Sequence, residues 1–439
     1  MPAPDFPARL RALTRTIARI EAAELRAVVL AFSCNFALLG GYYILRPVRD
    51  VMATVFGVAQ LQNLYTGTLV LTLLCAPAFA WLTTRFKLTR VIPGMFWFWI
   101  SNILVFYLLF NAAPDSRWVA AAYYWWFSVV NLFMISIFWS LMVDLFSAAQ
   151  ATRLFALIAA GGSIGAIAGP VVTTLFVSSV GVSGLLLIAA ADLVVVIGLV
   201  HLLMREKSRL QTDHVETQTS TLDQKLSGNP FAGFSALFES GYIMNQALFI
   251  MLMTWVATVA YFLQTDLISQ AFSDIADRTV ALADIDLAVN ILSALLLVFG
   301  VGRFVTRFGV TAGLFLNPVI MALAFVAIAL SPTLLMIQAI QIVRRVSQYA
   351  IARPSREICF TVVPQESRYK AKNVIDTVVY RFGDLTAAWM QGGLRMLGFG
   401  LSGAVGMGLL TAGAWGAVAV ALGRRYERLR ADDSDPVGT

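Results

Sequence analysis

Two arginine-bearing stretches of this sequence share one pattern. Tyr42-Tyr-Ile-Leu-Arg46-Pro47-Val-Arg49-Asp50 closes the first long apolar run, and Tyr349-Ala-Ile-Ala-Arg353-Pro354-Ser-Arg356-Glu357 lies in a later one, just after Arg344 and Arg345. Both read Tyr-x-Ile-x-Arg-Pro-x-Arg followed by an acid. An arginine at bilayer depth costs at least about 2.5–3.5 kcal/mol, so it calls for a partner or a watery cavity. A guanidinium stays charged at any physiological pH and matches phosphate or carboxylate oxygens two at a time. It also stacks on flat rings, and Tyr42 and Tyr349 stand one turn away. The chemistry expected is capture of an organic anion. At about 100° per residue, Asn35, Tyr42, Arg46 and Arg49 share one helix face, and Arg345, Tyr349, Arg353 and Arg356 share another. These are the expected substrate-binding residues. The prolines permit kinks that expose backbone carbonyls to a cavity.

Asp50 and Glu357, with Arg344, Asp376, Arg381 and Asp384, form the expected set of gating and ion-pair residues. A purely gating role for the arginines is the competing reading. Asp192, alone in its apolar run, is a candidate proton site, although a structural hydrogen bond is the plainer role for it. No cofactor and no metal are expected. The chain has two histidines, its three cysteines (Cys34, Cys75 and Cys359) are widely spaced, and it lacks the Gly-x-x-x-x-Gly-Lys-Ser/Thr loop of ATP hydrolysis.

The elements that must hold these groups are membrane helices. Of the 439 residues, 59% are apolar and 13% charged, and the mean hydropathy is +0.77. A soluble protein could not cover so apolar a surface. Spans of roughly 20 residues are expected at 27–45, 61–83, 91–113, 118–146, 154–180, 184–204, 241–265, 285–303, 310–330, 333–363, 374–396 and 401–422. The organisation expected is an amphipathic cytoplasmic helix at 1–26, a six-helix bundle at 27–204, a cytoplasmic linker at 205–240, a second six-helix bundle at 241–422 and a cytoplasmic tail at 423–439. About 22 of the 32 Lys and Arg residues fall in loops on one side, which places both termini in the cytoplasm of a bacterial inner-membrane protein. The net charge of +7 is explained by those loops, so no nucleic-acid partner is implied.

Thr-Arg-Phe recurs at 84–86 and 306–308, and Gln150-Ala-Thr-Arg153 is echoed by Gln365-Glu-Ser-Arg368. Both echoes fall in loops that two six-helix repeats would equate. Parallel repeats of six around a central site describe the major facilitator architecture. The expected fold class is therefore an all-α polytopic membrane protein of about 12 spans, in a 6+6 pseudo-symmetric, major facilitator-like bundle. In that fold the first and tenth spans line the cavity, so the two arginine faces are expected along one pathway.

At these residues the sequence resembles the nucleotide transporter family, the ATP:ADP antiporters of plastids and intracellular bacteria. Leu45-Arg46-Pro47-Val48-Arg49-Asp50 is similar to the family's Leu-Arg-x-x-Lys-Asp. Gln348-Tyr349 through Pro354, Arg356-Glu357, Lys370-Ala-Lys372 and Ile375-Asp376-Thr-Val-Val are similar to its later signature. The resemblance implies a facilitator-like fold, exchange of one nucleotide for another, and phosphate contacts at Arg49 and Arg356. Arginine replaces both of the family's lysines, and span 4 lacks its glutamate.

The expected function is alternating-access transport, without enzymatic activity, of an anionic organic solute, with nucleotides and other organic phosphates as candidates. A proton-coupled facilitator permease using Asp192 or Asp376, or a lipid-handling membrane protein, is the alternative. The expected partners are the bilayer and the anionic solute, and no obligate protein partner is evident.

Overall fold

Helices that are apolar on every side, rather than along one stripe, can satisfy their surfaces only in lipid or against one another. The computed structural model of this chain describes residues 20–21, 24–86, 88–212, 240–299, 301–364, 371–372 and 374–434, and all regular structure among them is helical. The expected helix at 1–26 lies almost wholly outside these residues, as do most of the 205–240 linker, the 365–368 echo and Lys370.

The elements are α1 (Leu25–Phe56), α2 (Leu61–Arg85), α3 (Leu88–Ala112), α4 (Arg117–Leu145), α5 (Ala148–Thr212), α6 (Gly241–Ala271), α7 (Ile275–Phe299), α8 (Val301–Leu330), α9 (Leu334–Ser347), α10 (Arg353–Cys359), α11 (Tyr380–Met396) and α12 (Gly400–Ser434). Two π-helical turns, Gln348–Ala352 and Ile375–Val379, lead into α10 and α11. Among the described residues eight helices are long and apolar enough to cross a membrane. One of them, α5, bends at Gly181 (φ 72°) and is long enough for two crossings. The α2 helix, the α9–α10 run and the π-turn–α11 run are further helical segments in stretches where hydropathy expects spans. The last two runs are less apolar because they carry the membrane arginines and carboxylates. Leu73, Leu108, Leu175, Leu323 and Leu410 are exposed, as a lipid-facing surface requires.

The chain divides into two compact units: 1–49 with 71–219, and 50–70 with 220–439. The second unit thus includes 50–70, the end of α1 and the start of α2, which the sequence boundaries placed with the first bundle. In the first unit α3 packs on α5. Phe106 of α3 meets Tyr123 of α4 edge-on at 5.2 Å. Gly161, Gly165 and Gly169 bring α5 onto the backbone of α1. A Cβ on Gly169 would lie 2.6 Å from the Gly40 carbonyl, so the helices could approach this closely only without side chains.

At the mouth of the first unit, Glu24 accepts hydrogen bonds from Gln150 Nε2 (2.9 Å) and Arg153 Nη2 (2.8 Å). Burial alone would raise its pKa. The Gln150 amide, the Glu21 backbone N–H and Arg153 outweigh that effect and hold the carboxyl below the usual range. In the second unit α12 packs against α8 and α6, and α11 against α6. Phe249, Leu314, Met321, Phe325, Trp415 and Ala419 form the buried centre of that packing.

Candidate functional site

Pro354 has no N–H to offer the carbonyl four residues back, and the helix responds locally. The Arg353 N–H reaches back five residues to the Gln348 carbonyl, closing a π turn in place of an α turn. A second π turn ends where the Tyr380 N–H donates to the Ile375 carbonyl, again five residues back. Such turns recur at functional sites because each one redirects side chains that a regular helix would stack. Here the two turns flank one cavity of about 230 Å³. Gln348, Tyr349, Ala352, Arg353 and Arg356 line it from one side, Asp376 and Tyr380 from another, and Phe249, Ile250 and Met253 from α6.

The charges around this cavity are unevenly satisfied. Arg356, only 8% exposed at its side chain, donates to Asp376 Oδ1 at 2.6 Å and to Glu357 Oε1 at 3.0 Å. Lys372 closes on the other oxygen of Glu357, and both cations stand over the Phe360 ring. Arg353 is exposed within the lining, and its side chain makes no hydrogen bond or ion pair with any described residue. Two guanidinium groups and one carboxylate therefore face the cavity beside the rings of Tyr349, Tyr380 and Phe249. This arrangement can take up one negative charge and pack a flat group.

The other expected residues fall into distinct settings. Arg345 forms a buried ion pair with Asp286 of α7 at 2.6 Å, with side chains 8% and 2% exposed. Arg344 donates to Gln341 of its own helix and to Gln348 of the π turn that follows. Asp384 accepts from Thr258 at 3.2 Å and lies 3.8 Å from Arg381.

In the first unit, Arg46 stands over the Tyr43 ring at 5.5 Å and Arg49 over Tyr124 at 5.3 Å, while Tyr42 stacks on Phe127. Asn35 is buried and donates to the Ile158 carbonyl of α5. Asp50 accepts from the Tyr261 hydroxyl at 3.2 Å. The Asp192 carboxylate lies directly over Gly41, where a Cβ would collide with it.

Sequence reasoning missed Asp286, Tyr124 and Tyr380. The signal for Asp286 was present: a carboxylate inside an apolar run implies a buried cation elsewhere to balance it. Tyr124 and Tyr380 carried no comparable signal, since aromatic residues are abundant in every span.

The Major Facilitator Superfamily model matches residues 31–352. The chain belongs to that superfamily. No curated protein sequence matches it. Among solved structures, a bacterial homologue of the iron transporter ferroportin, inward-facing, superposes with a TM-score of 0.65 at 12% identity, covering 91% of this chain and 99% of that one. The nucleoside transporter NupG gives 0.63 at 16%, covering 92% and 98%. A bacterial homologue of the human lysosomal transporter Spinster, inward-facing and unoccupied, gives 0.62 at 14%, covering 94% and 99%. At these identities the likeness speaks for the fold alone. The chain is a transporter of the facilitator type, and the regular structure among its described residues is helical, as hydropathy anticipated.

Proposed function

We propose that this facilitator carries an anionic organic solute bearing a flat group, with nucleotides and other organic phosphates as the leading class. The observation that carries the proposal is Arg353. It is a guanidinium in a ring-lined cavity with no carboxylate of its own among the described residues, next to an Arg356 already neutralised by Asp376. An anion that docks on Arg353 gains a charge-assisted, two-point contact. The rings of Tyr349, Tyr380 and Phe249 would pack its organic part. Arg46 and Arg49, in the matching motif of the first unit, are assigned to anion binding, and Glu357, Asp376 and Lys372 to gating. Exchange rather than net uptake follows from electrostatics, because a cavity of fixed positive charge resists crossing a dry, occluded state empty. The likeness to the ATP:ADP antiporters supports nucleotide exchange. Secondary transport at a bacterial inner membrane, with cytoplasmic termini, completes the reading.

Proteoliposomes loaded with unlabelled solute and offered labelled ATP, ADP, sugar phosphates or an uncharged nucleoside test it. Counterflow of a phosphate-bearing solute, cut roughly tenfold or more in Arg353→Gln, is the expected result. Wild-type rates in that variant for every transported anion, or transport of the neutral nucleoside alone, would remove the basis for an anion site.

A second reading, proton coupling, is favoured by the placement of Asp192 against the α1 backbone. Uptake that follows an imposed pH gradient and disappears in Asp192→Asn would establish it in place of exchange.

A further inference from the structure

Gln348 lines the arginine cavity with its amide held one way round. Arg344 donates Nη1 to Gln348 Oε1 at 3.1 Å, and its Nε and Nη2 donate to Gln341 Oε1 at 3.0 and 2.8 Å. Gln341, fully buried, in turn donates Nε2 to the Ala260 carbonyl of α6 at 3.0 Å. A guanidinium has donors and no acceptor, so only the carbonyl end of each amide can face it. The Gln348 NH2 group is thereby turned away from Arg344. Its one partner among the described residues is the Met253 sulfur, at 3.5 Å. A thioether is a weak acceptor, and Met253 lines the same cavity.

The wide turn brings this amide toward Arg353. Residues five apart in an α-helix stand about 140° apart around its axis. The π turn at 348–352 absorbs one residue, which leaves Gln348 and Arg353 about 40° apart. Both line one cavity, with the rings of Tyr349, Tyr380 and Phe249 beside them. About 7.5 Å of helix axis separates the two residues, so a solute anchored on Arg353 can present the edge of its ring to Gln348.

We infer that Gln348 reads the flat group of the solute. Its NH2 group donates to an acceptor at the ring edge, a carbonyl oxygen or ring nitrogen of the nucleobase kind. Arg344 is the positioning residue that keeps the amide turned this way. This role rests on anion binding at Arg353, proposed above, and narrows the solute to phosphates whose ring carries an acceptor. A plain hydrocarbon ring leaves the NH2 group on the Met253 sulfur and offers it no better hydrogen bond. The site therefore separates nucleotides from aryl phosphates of the same charge.

The test titrates the purified full chain in detergent with uridine 5′-monophosphate, inosine 5′-monophosphate and phenyl phosphate, reading calorimetric affinity and apparent Tm. The two nucleotides should bind roughly three- to tenfold tighter than phenyl phosphate, the effect of one hydrogen bond. Gln348→Leu should bring both nucleotides down to the phenyl phosphate level and leave phenyl phosphate itself unchanged. Arg344→Met, which frees the amide to turn over, should shrink the preference too. Arg344→Lys, which returns a donor to Gln348 Oε1, should restore it. Equal binding of all three probes by the wild type would overturn the inference without recourse to any variant. So would a nucleotide preference that survives in Gln348→Leu, or an equal loss of phenyl phosphate there, since Gln348 would then hold the anion itself. Arg353→Gln keeps the two readings apart, because it should weaken all three probes. If it does so while the preference ignores Gln348, only the role of Gln348 falls. If it alters none of them, the anion site falls and this role with it.

Discussion

At the scale of single residues, the membrane-buried charges differ chiefly in whether another side chain already answers them. Arg345 and Asp286 answer each other at 2.6 Å in a buried setting. Removing one partner of such a pair leaves a desolvated charge, so Asp286→Leu should cost about 3–5 kcal/mol of stability. The double variant Asp286→Leu/Arg345→Met should recover most of that, as thermal unfolding in detergent would show. Arg353, by contrast, is answered by no described side chain, so Arg353→Gln should leave the melting temperature nearly unchanged while lowering anion counterflow. Glu24 behaves differently again. Its folded-state pKa is depressed, so the stability it contributes is fully present above its unfolded value of 4.5. That contribution is lost as pH falls through the lower, folded value. Below pH 4.5 the wild type should therefore lose apparent stability more steeply than Glu24→Gln. The arginines were legible in the sequence because charge in an apolar run is rare and expensive. Which of them is matched was not legible, because Asp286 and Arg345 are distant in sequence and meet only through the packing of α7 on α9.

At the scale of elements, prolines and glycines decide what each helix can present. Pro354 accounts for the π turn at 348–352, and with it for Tyr349 and Arg353 lining the same cavity. Pro354→Ala restores an N–H that the Ala350 carbonyl can accept, so the segment should regain α-helical register. Higher thermal stability with slower transport is the expected outcome, measured on one preparation in detergent and in proteoliposomes. Gly161, Gly165 and Gly169 stand against the backbone of α1, so small residues set how closely α5 can approach it. The π turns were not readable. A missing N–H permits a kink, a wide turn or a break, and only tertiary packing selects among them. Asn35 shows the same limit, because it shares a helical face with Tyr42 and Arg46 yet spends its amide on the Ile158 carbonyl.

At the scale of the whole molecule, the crossings were legible because a bilayer tolerates few alternatives to an apolar helix of its own thickness. Assignment of 50–70 to the second unit was not, since hydropathy counts residues and says nothing of neighbours. The excess of basic residues in loops on one side makes a prediction at this scale. A fluorescent protein fused after the end of α12 should light up in cells, and alkaline phosphatase at the same point should stay inactive, because both report a cytoplasmic position. The two π turns beside the arginine cavity carry a consequence for motion. Each holds one residue more than an α turn would, a slack link in an otherwise taut rod. Were the 348–352 link drawn tight, everything beyond it would swivel by about 100°. Arg353 would then leave the wall it now occupies. A helix stored this way can trade one liganding face for another without breaking in the middle.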